Sequence, residues 1–123
     1  MAAWTREELD AIAAADELEL ASARADGALR KPVTIWVVRH GDDLHVRSVN
    51  GRESSWFRGA QIRREARIQA GGVEKDVGLV ETDELDDELD AAYRTKYRRY
   101  AAGIIDRITS PGARAAALRL VPR

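Results

Sequence analysis

Residues 33–49, VTIWVVRHGDDLHVRSV, do most to narrow what this chain can fold into. β-Branched and aromatic residues fill 33–39 on both faces, which predicts a central strand buried on two sides. HGDD then supplies a compact polar turn. Along 44–49 the pattern becomes alternating, with Leu44 and Val46 separated by His45 and Arg47. Two such runs joined by so short a connection can only pair antiparallel. The pattern repeats downstream, where EARIQA (65–70) and VEKDVGLVE (73–81) flank Gly71-Gly72, a hairpin turn whose positions both favour positive φ. DELELAS, with Leu18 and Leu20 on one side, predicts a first strand, and Leu118 and Leu120 in AAALRLV predict a closing one, with ADGALRKP (25–32) as a loop. An antiparallel sheet of about six strands in 123 residues removes its exposed edges by closing on itself. The expected fold is therefore α+β, mainly β: one domain over residues 1–123, a small antiparallel barrel of about six strands with flanking helices.

The helices have their own signatures. In WTREEL, Thr5 can accept from the Glu8 amide, Glu8 can reach back, and Trp4 can pack on Leu9, which starts a helix over 6–14. A short helix is expected at about 53–61. The spacing of Leu85, Leu89, Ala92, Tyr93, Tyr97 and Tyr100 predicts a long one over 82–100, with GIIDRI continuing as a helical turn or a second short helix that TSPG breaks. Acids crowd residues 81–90 while Arg94, Lys96, Arg98 and Arg99 follow, matching the helix dipole. The acidic half reads as a solvated surface and the tyrosines as core.

Composition excludes several classes of function. A net charge of −1 argues against a nucleic-acid partner, and the absence of cysteine removes disulfides, thiolate zinc sites and cysteine nucleophiles. No apolar run approaches the ~20 residues that span a bilayer, so no membrane partner is expected. MAAWTREELD is charged too early for a secretory signal, which makes the cytoplasm the expected location. Only His40 and His45 could serve acid–base chemistry. With Asp42 and Asp43 they read as a solvated corner rather than a metal site, and no nucleophile-elbow or phosphate-loop motif is present. No catalytic side chain and no metal ligand is assigned.

One stretch does suggest a site. In VRSVNGRESSWFRGA (46–60) a strand meets a glycine turn and then a helix start, gathering Arg47, Ser48, Asn50, Gly51, Arg52, Ser54 and Trp56, with Arg39 ending the preceding strand. Free amides, hydroxyls and converging arginines suit a phosphate, and Trp56 offers a flat surface to a planar ring. The same residues also fit a plain surface corner in which Trp56 and Phe57 are core. The pattern alone leaves both readings open.

VVRHGDDLHVRSVNGRESSWFRGA, followed by a hairpin, a helix and a closing strand, resembles the FMN-binding split-barrel superfamily, which includes pyridoxamine phosphate oxidases and deazaflavin-dependent nitroreductases. It is most similar to an uncharacterised bacterial branch with the pattern V-R-S-x-N-G-R-E-S-x-W-F-R. The resemblance implies a split β-barrel with FMN or a deazaflavin as cofactor. It places Arg39 where the oxidases carry a phosphate-binding lysine, Arg47 and Ser48 at their aromatic–threonine pair, and Arg52 and Ser54 at their serine–basic–lysine stretch. Trp56 and Phe57 match the aromatic pair of the deazaflavin enzymes, while Gly59 stands where those carry asparagine. The implied function is hydride chemistry on a small planar acceptor, the cofactor carrying the hydride and the protein supplying placement. It further implies a homodimer with the cofactor cleft between barrels. The alternative is a split barrel without cofactor, acting as a dimeric ligand-binding or scaffold protein.

Overall fold

In a computed structural model, which describes residues 3–123, the chain forms seven strands and five helices. The strands are β1 (Leu18–Ser22), β2 (Val33–Ile35), β3 (Val37–His40), β4 (Asp43–Arg47), β5 (Glu65–Ala70), β6 (Val73–Glu81) and β7 (Ala117–Pro122). The helices are α1 (Arg6–Ala14), α2 (Ser55–Arg63), α3 (Asp86–Lys96), α4 (Ala102–Ile108) and α5 (Pro111–Arg114). All strand pairs are antiparallel, in the order β2-β1-β5-β6-β7-β4-β3.

That order dictates the shape. β2 and β3 are the two outermost strands of the sheet, yet Trp36 alone separates them in the chain. A sheet whose opposite edges are joined through one residue cannot lie open; it wraps into a barrel, nearly closed, with a seam beside Trp36. The single central strand expected over 33–39 is thus corrected to two edge strands. β3 is buried at Val37 and Val38, whereas β2 is half-exposed at Val33 and Ile35 and open at Thr34. This break also turns the expected six strands into seven.

Strand alternation builds two cores. Leu44 and Val46 of β4, Leu118 and Leu120 of β7, Val37, Leu20, Ile68 and Phe57 fill the barrel under α1. The opposite faces of the same strands, through Val38 and Ala117, meet Leu89, Tyr93, Tyr97, Ile105 and Ile108 of the helical layer. Trp36 stacks on Tyr97 with ring centroids 3.8 Å apart. At the strand break the Tyr97 hydroxyl accepts from the Val37 amide at 3.2 Å, and Lys96 Nζ donates to the Val37 carbonyl at 2.6 Å. Side chains at the C-terminal end of α3 and its cap therefore satisfy backbone groups that the interrupted ladder leaves free. Tyr93 and Tyr97 are core, as their spacing predicts, and Tyr100 packs against them partly buried.

The local signals mostly hold. Thr5 and Glu8 form the capping box of α1, and Trp4 packs on the barrel core while its Nε1 donates to the Leu120 carbonyl at 3.0 Å. Gly71 and Gly72 make the β5–β6 turn with φ of +57° and +82°. Gly71 has a second constraint, because a Cβ there would lie 2.2 Å from the Ala11 carbonyl oxygen. The long helix is shorter than its periodicity suggests. Thr82 donates to the Ala117 carbonyl at 3.1 Å, prolonging the β6–β7 edge, so helix begins only at Asp86. Among the described residues no helix is long and apolar enough to cross a membrane.

Candidate functional site at the barrel seam

The seam opens into a cavity of about 380 Å³. One wall is β2 with Trp36, a second is the end of β4 with Arg47, Val49 and Asn50, and α4 contributes Ile104, Arg107 and Ile108, with Trp56 of α2 at the margin. Three of the residues predicted from sequence, Arg47, Asn50 and Trp56, meet here. Trp56 is half-buried and edge-on to Phe57, with ring centroids 5.8 Å apart.

Three more shape the corner that carries Asn50. Ser48 and Ser54 share a hydrogen bond of 2.7 Å between their hydroxyls, and Ser54 also caps α2 through the Phe57 amide. Gly51, at φ +80°, turns the chain between them, and a Cβ there would lie 3.4 Å from the Gly112 carbonyl oxygen. The hydroxyls are thus committed to holding the corner.

The two outlying arginines lie apart from this cavity. Arg39 pairs with Asp10 at 2.8 Å and borders a different depression near Trp4 and Arg119. Arg52 pairs with Glu81 at 2.6 Å and donates to the Ala115 carbonyl at 2.9 Å. Strand alternation separates Arg39 from Arg47. They are adjacent-strand neighbours in register terms, with Arg39 opposite Leu44, three residues from Arg47 along β4.

Arg47 is itself a structural linchpin. Its side chain is fully buried, ion-paired with Asp90 at 2.5 Å, and it donates to the Ile108 and Asp86 carbonyls at 3.1 Å each. Asp90 also accepts from Arg114, so one carboxylate joins β4, α3 and α5. Burial alone would raise the Asp90 carboxyl, but hydrogen bonds from Arg114 and Arg47 outweigh it and hold the group below the usual carboxylate range. The acidic run is therefore not solvated throughout: Asp90, its last member, is 1% exposed. Arg47 Nε keeps no partner among the described residues.

Two side chains escape sequence reasoning. Arg107 lines the cavity, and its side chain donates to Asn50 Oδ1 at 3.3 Å. Nothing in GIIDRI marks that arginine; its position follows only from how α4 lies over the seam. His45 belongs to a corner that reads as solvated but is completely buried, with neither ring nitrogen hydrogen-bonded among the described residues. Burial lowers its pKa to about 4 against the opposing field of Asp43. Among the described residues no group of three ligating side chains is placed to hold a metal.

A family model described as "Uncharacterized protein conserved in bacteria (DUF2255)" matches residues 8–120. The chain belongs to this family. No curated protein matches its sequence. The fold of this DUF2255 member is similar to that of a conserved hypothetical protein, Rv2991 from Mycobacterium tuberculosis (TM-score 0.69, 13% identity, covering 98% of this chain and 81% of that one). It is likewise similar to HutZ, a heme storage protein from Vibrio cholerae (TM-score 0.63, 16% identity, 95% and 88% covered). A third similar structure is an F420-H2 dependent reductase, FDR-A (TM-score 0.62, 15% identity, 86% and 93% covered). These likenesses establish the split-barrel fold expected for the DUF2255 chain.

Proposed function

We propose that this protein is a cofactor-binding split barrel, holding FMN or a deazaflavin in the seam cavity and serving as an oxidoreductase toward a small planar acceptor. One observation carries the reading. The cavity is walled by Trp36, Trp56 and aliphatic side chains, and its charged lining consists of two arginines, Arg47 and Arg107, with no carboxylate. That is a lining for a planar ring system bearing an anionic group. The donor set fits such a group through Arg107, which has no carboxylate partner among the described residues.

In this reading Arg107 and Asn50 hold the phosphate, Arg47 lends positive potential from beneath, and Trp56 and Trp36 flank the ring. Bound there, the cofactor would supply hydride transfer, while the chain supplies binding, orientation and exclusion of water. Of the similar folds, one is named a reductase dependent on F420-H2, which agrees with the proposal.

The unit we propose is a homodimer. Val49 and Ile104, 38% and 45% exposed, rim the cavity mouth and would be covered by the same patch of a second copy. A split barrel that binds a ligand without redox chemistry is the second reading, favoured by the ion pairs that already occupy Arg39 and Arg52.

Titration with FMN, riboflavin and a deazaflavin, followed by visible absorption and tryptophan fluorescence, tests the reading. A Kd well below ~1 mM is expected for at least one of them. Arg107→Ala should weaken FMN about tenfold more than riboflavin, and Arg39→Ala should change neither. Binding of all three no tighter than millimolar overturns the proposal. Tight binding without reduction of any acceptor leaves the non-redox reading.

A further inference from the structure

β2 is an edge strand with an unusual neighbour. It pairs with β1 along one side only, and its residues line the seam cavity. In an antiparallel strand, alternate residues turn their N–H and C=O groups to opposite sides. Either Thr34, or both Val33 and Ile35, therefore present a donor and an acceptor outward. Residues 33–36 make no backbone hydrogen bond on that side among the described residues, whereas the next residue, Val37, has its amide and carbonyl taken by Tyr97 and Lys96. The free backbone stops where Tyr97 and Lys96 cover it, and what remains uncovered belongs to residues that line the cavity.

We infer that this free edge of β2 reads the polar edge of the bound ring, pairing with an imide of the kind shared by flavins and deazaflavins, in which an N–H lies between two carbonyls. The inference rests on the cofactor reading above and specifies how the ring is recognised. Adjacent donor and acceptor on one strand edge match the acceptor–donor–acceptor order of an imide, as one strand matches another. The apolar faces of Val33, Ile35 and Trp36 meet the ring plane beside it. An added peptide strand is the other occupant such an edge can take. However, β2 spans three residues, about 10 Å, with one or two outward-facing residues. That length offers few ladder bonds to a peptide but suits a heterocycle, and Arg107 in the same cavity favours an anionic ligand.

The test perturbs the ligand rather than the strand, so folding is not at stake. Binding of lumiflavin and 5-deazalumiflavin would be compared with binding of their N3-methyl derivatives by tryptophan quenching. Amide shifts of residues 33–36 would be followed by two-dimensional NMR. Blocking the imide N–H leaves a backbone acceptor unsatisfied, so the methylated ring should bind at least about tenfold more weakly, and only the parent ring should move the β2 amides. Equal binding of methylated and parent rings overturns this inference while leaving the cofactor reading intact. If the parent rings and FMN all fail to bind, both fall together. Amide shifts in β2 produced by an extended peptide, with none from either ring, would overturn it in favour of strand addition.

Discussion

His45 makes the stability of this protein depend on pH in a window that carboxylates do not reach. Its imidazole is fully buried on β4, faces Asp43, His40, Arg119 and Arg47 electrostatically, and has no hydrogen-bond partner at either nitrogen among the described residues. The folded protein therefore holds it neutral, with a pKa lowered from 6.5 to about 4. The unfolded chain takes up a proton as pH falls through ~6.5, while the native state declines it until about 4. Stability is consequently full above 6.5 and is lost progressively below it. At 1.36 kcal/mol per tenfold change, the complete loss is about 3 kcal/mol, of which about 2 kcal/mol has gone by pH 5. Carboxylates held low by arginines, Asp90 among them, add their own loss at more acid pH. Urea unfolding at pH 7, 6 and 5 measures the effect, and His45→Leu provides the control. The variant should lose most of the slope between pH 7 and 5. It should also be at least as stable as wild type at neutral pH, because it removes two unsatisfied buried nitrogens. Equal stability of the wild type at pH 7 and 5, or the same slope in His45→Leu, would refute the reasoning.

Asp90→Ala should cost about 3–5 kcal/mol by leaving Arg47 buried without its charge partner, read by thermal unfolding; Arg47→Met with Asp90→Leu should recover much of that loss. Gly71→Ala should destabilise by more than Gly72→Ala. Both demand a left-handed backbone, but only at position 71 does the new methyl meet a carbonyl oxygen, and chemical denaturation compares the two. Light scattering on a size-exclusion peak should give twice the monomer mass, and a monomer at tens of micromolar would sink the dimer.

The barrel was legible because its signals are local. Gly71-Gly72, the HGDD turn and the alternation at Leu118 and Leu120 each act within a few residues, and antiparallel pairing follows from them. The break at Trp36 was not legible, since VTIWVV is as good a continuous strand as a divided one. What divides it is closure of the sheet, a property of the whole chain. The site shows the same contrast. VRSVNGRESSW marked the corner bearing Arg47, Asn50 and Trp56, but pattern could not show that Asp90, forty-three residues on, claims Arg47. Nor could it show that Arg107 reaches the same cavity. Chain-distant charge pairing decides which of several arginines is free, and no spacing rule encodes it.

The position of β7 bears on how the protein is made. Residues 117–122 lie between β4 and β6, the middle of one side of the barrel, although they follow all the other strands in the chain. During synthesis the two hairpins β3–β4 and β5–β6 can form early from neighbouring residues. Until β7 leaves the ribosome, however, β4 and β6 each display an unpaired edge, the arrangement most prone to pairing with another chain. The nascent protein thus has its greatest need of chaperone protection just before synthesis of this domain is complete, and insertion of one six-residue strand ends it.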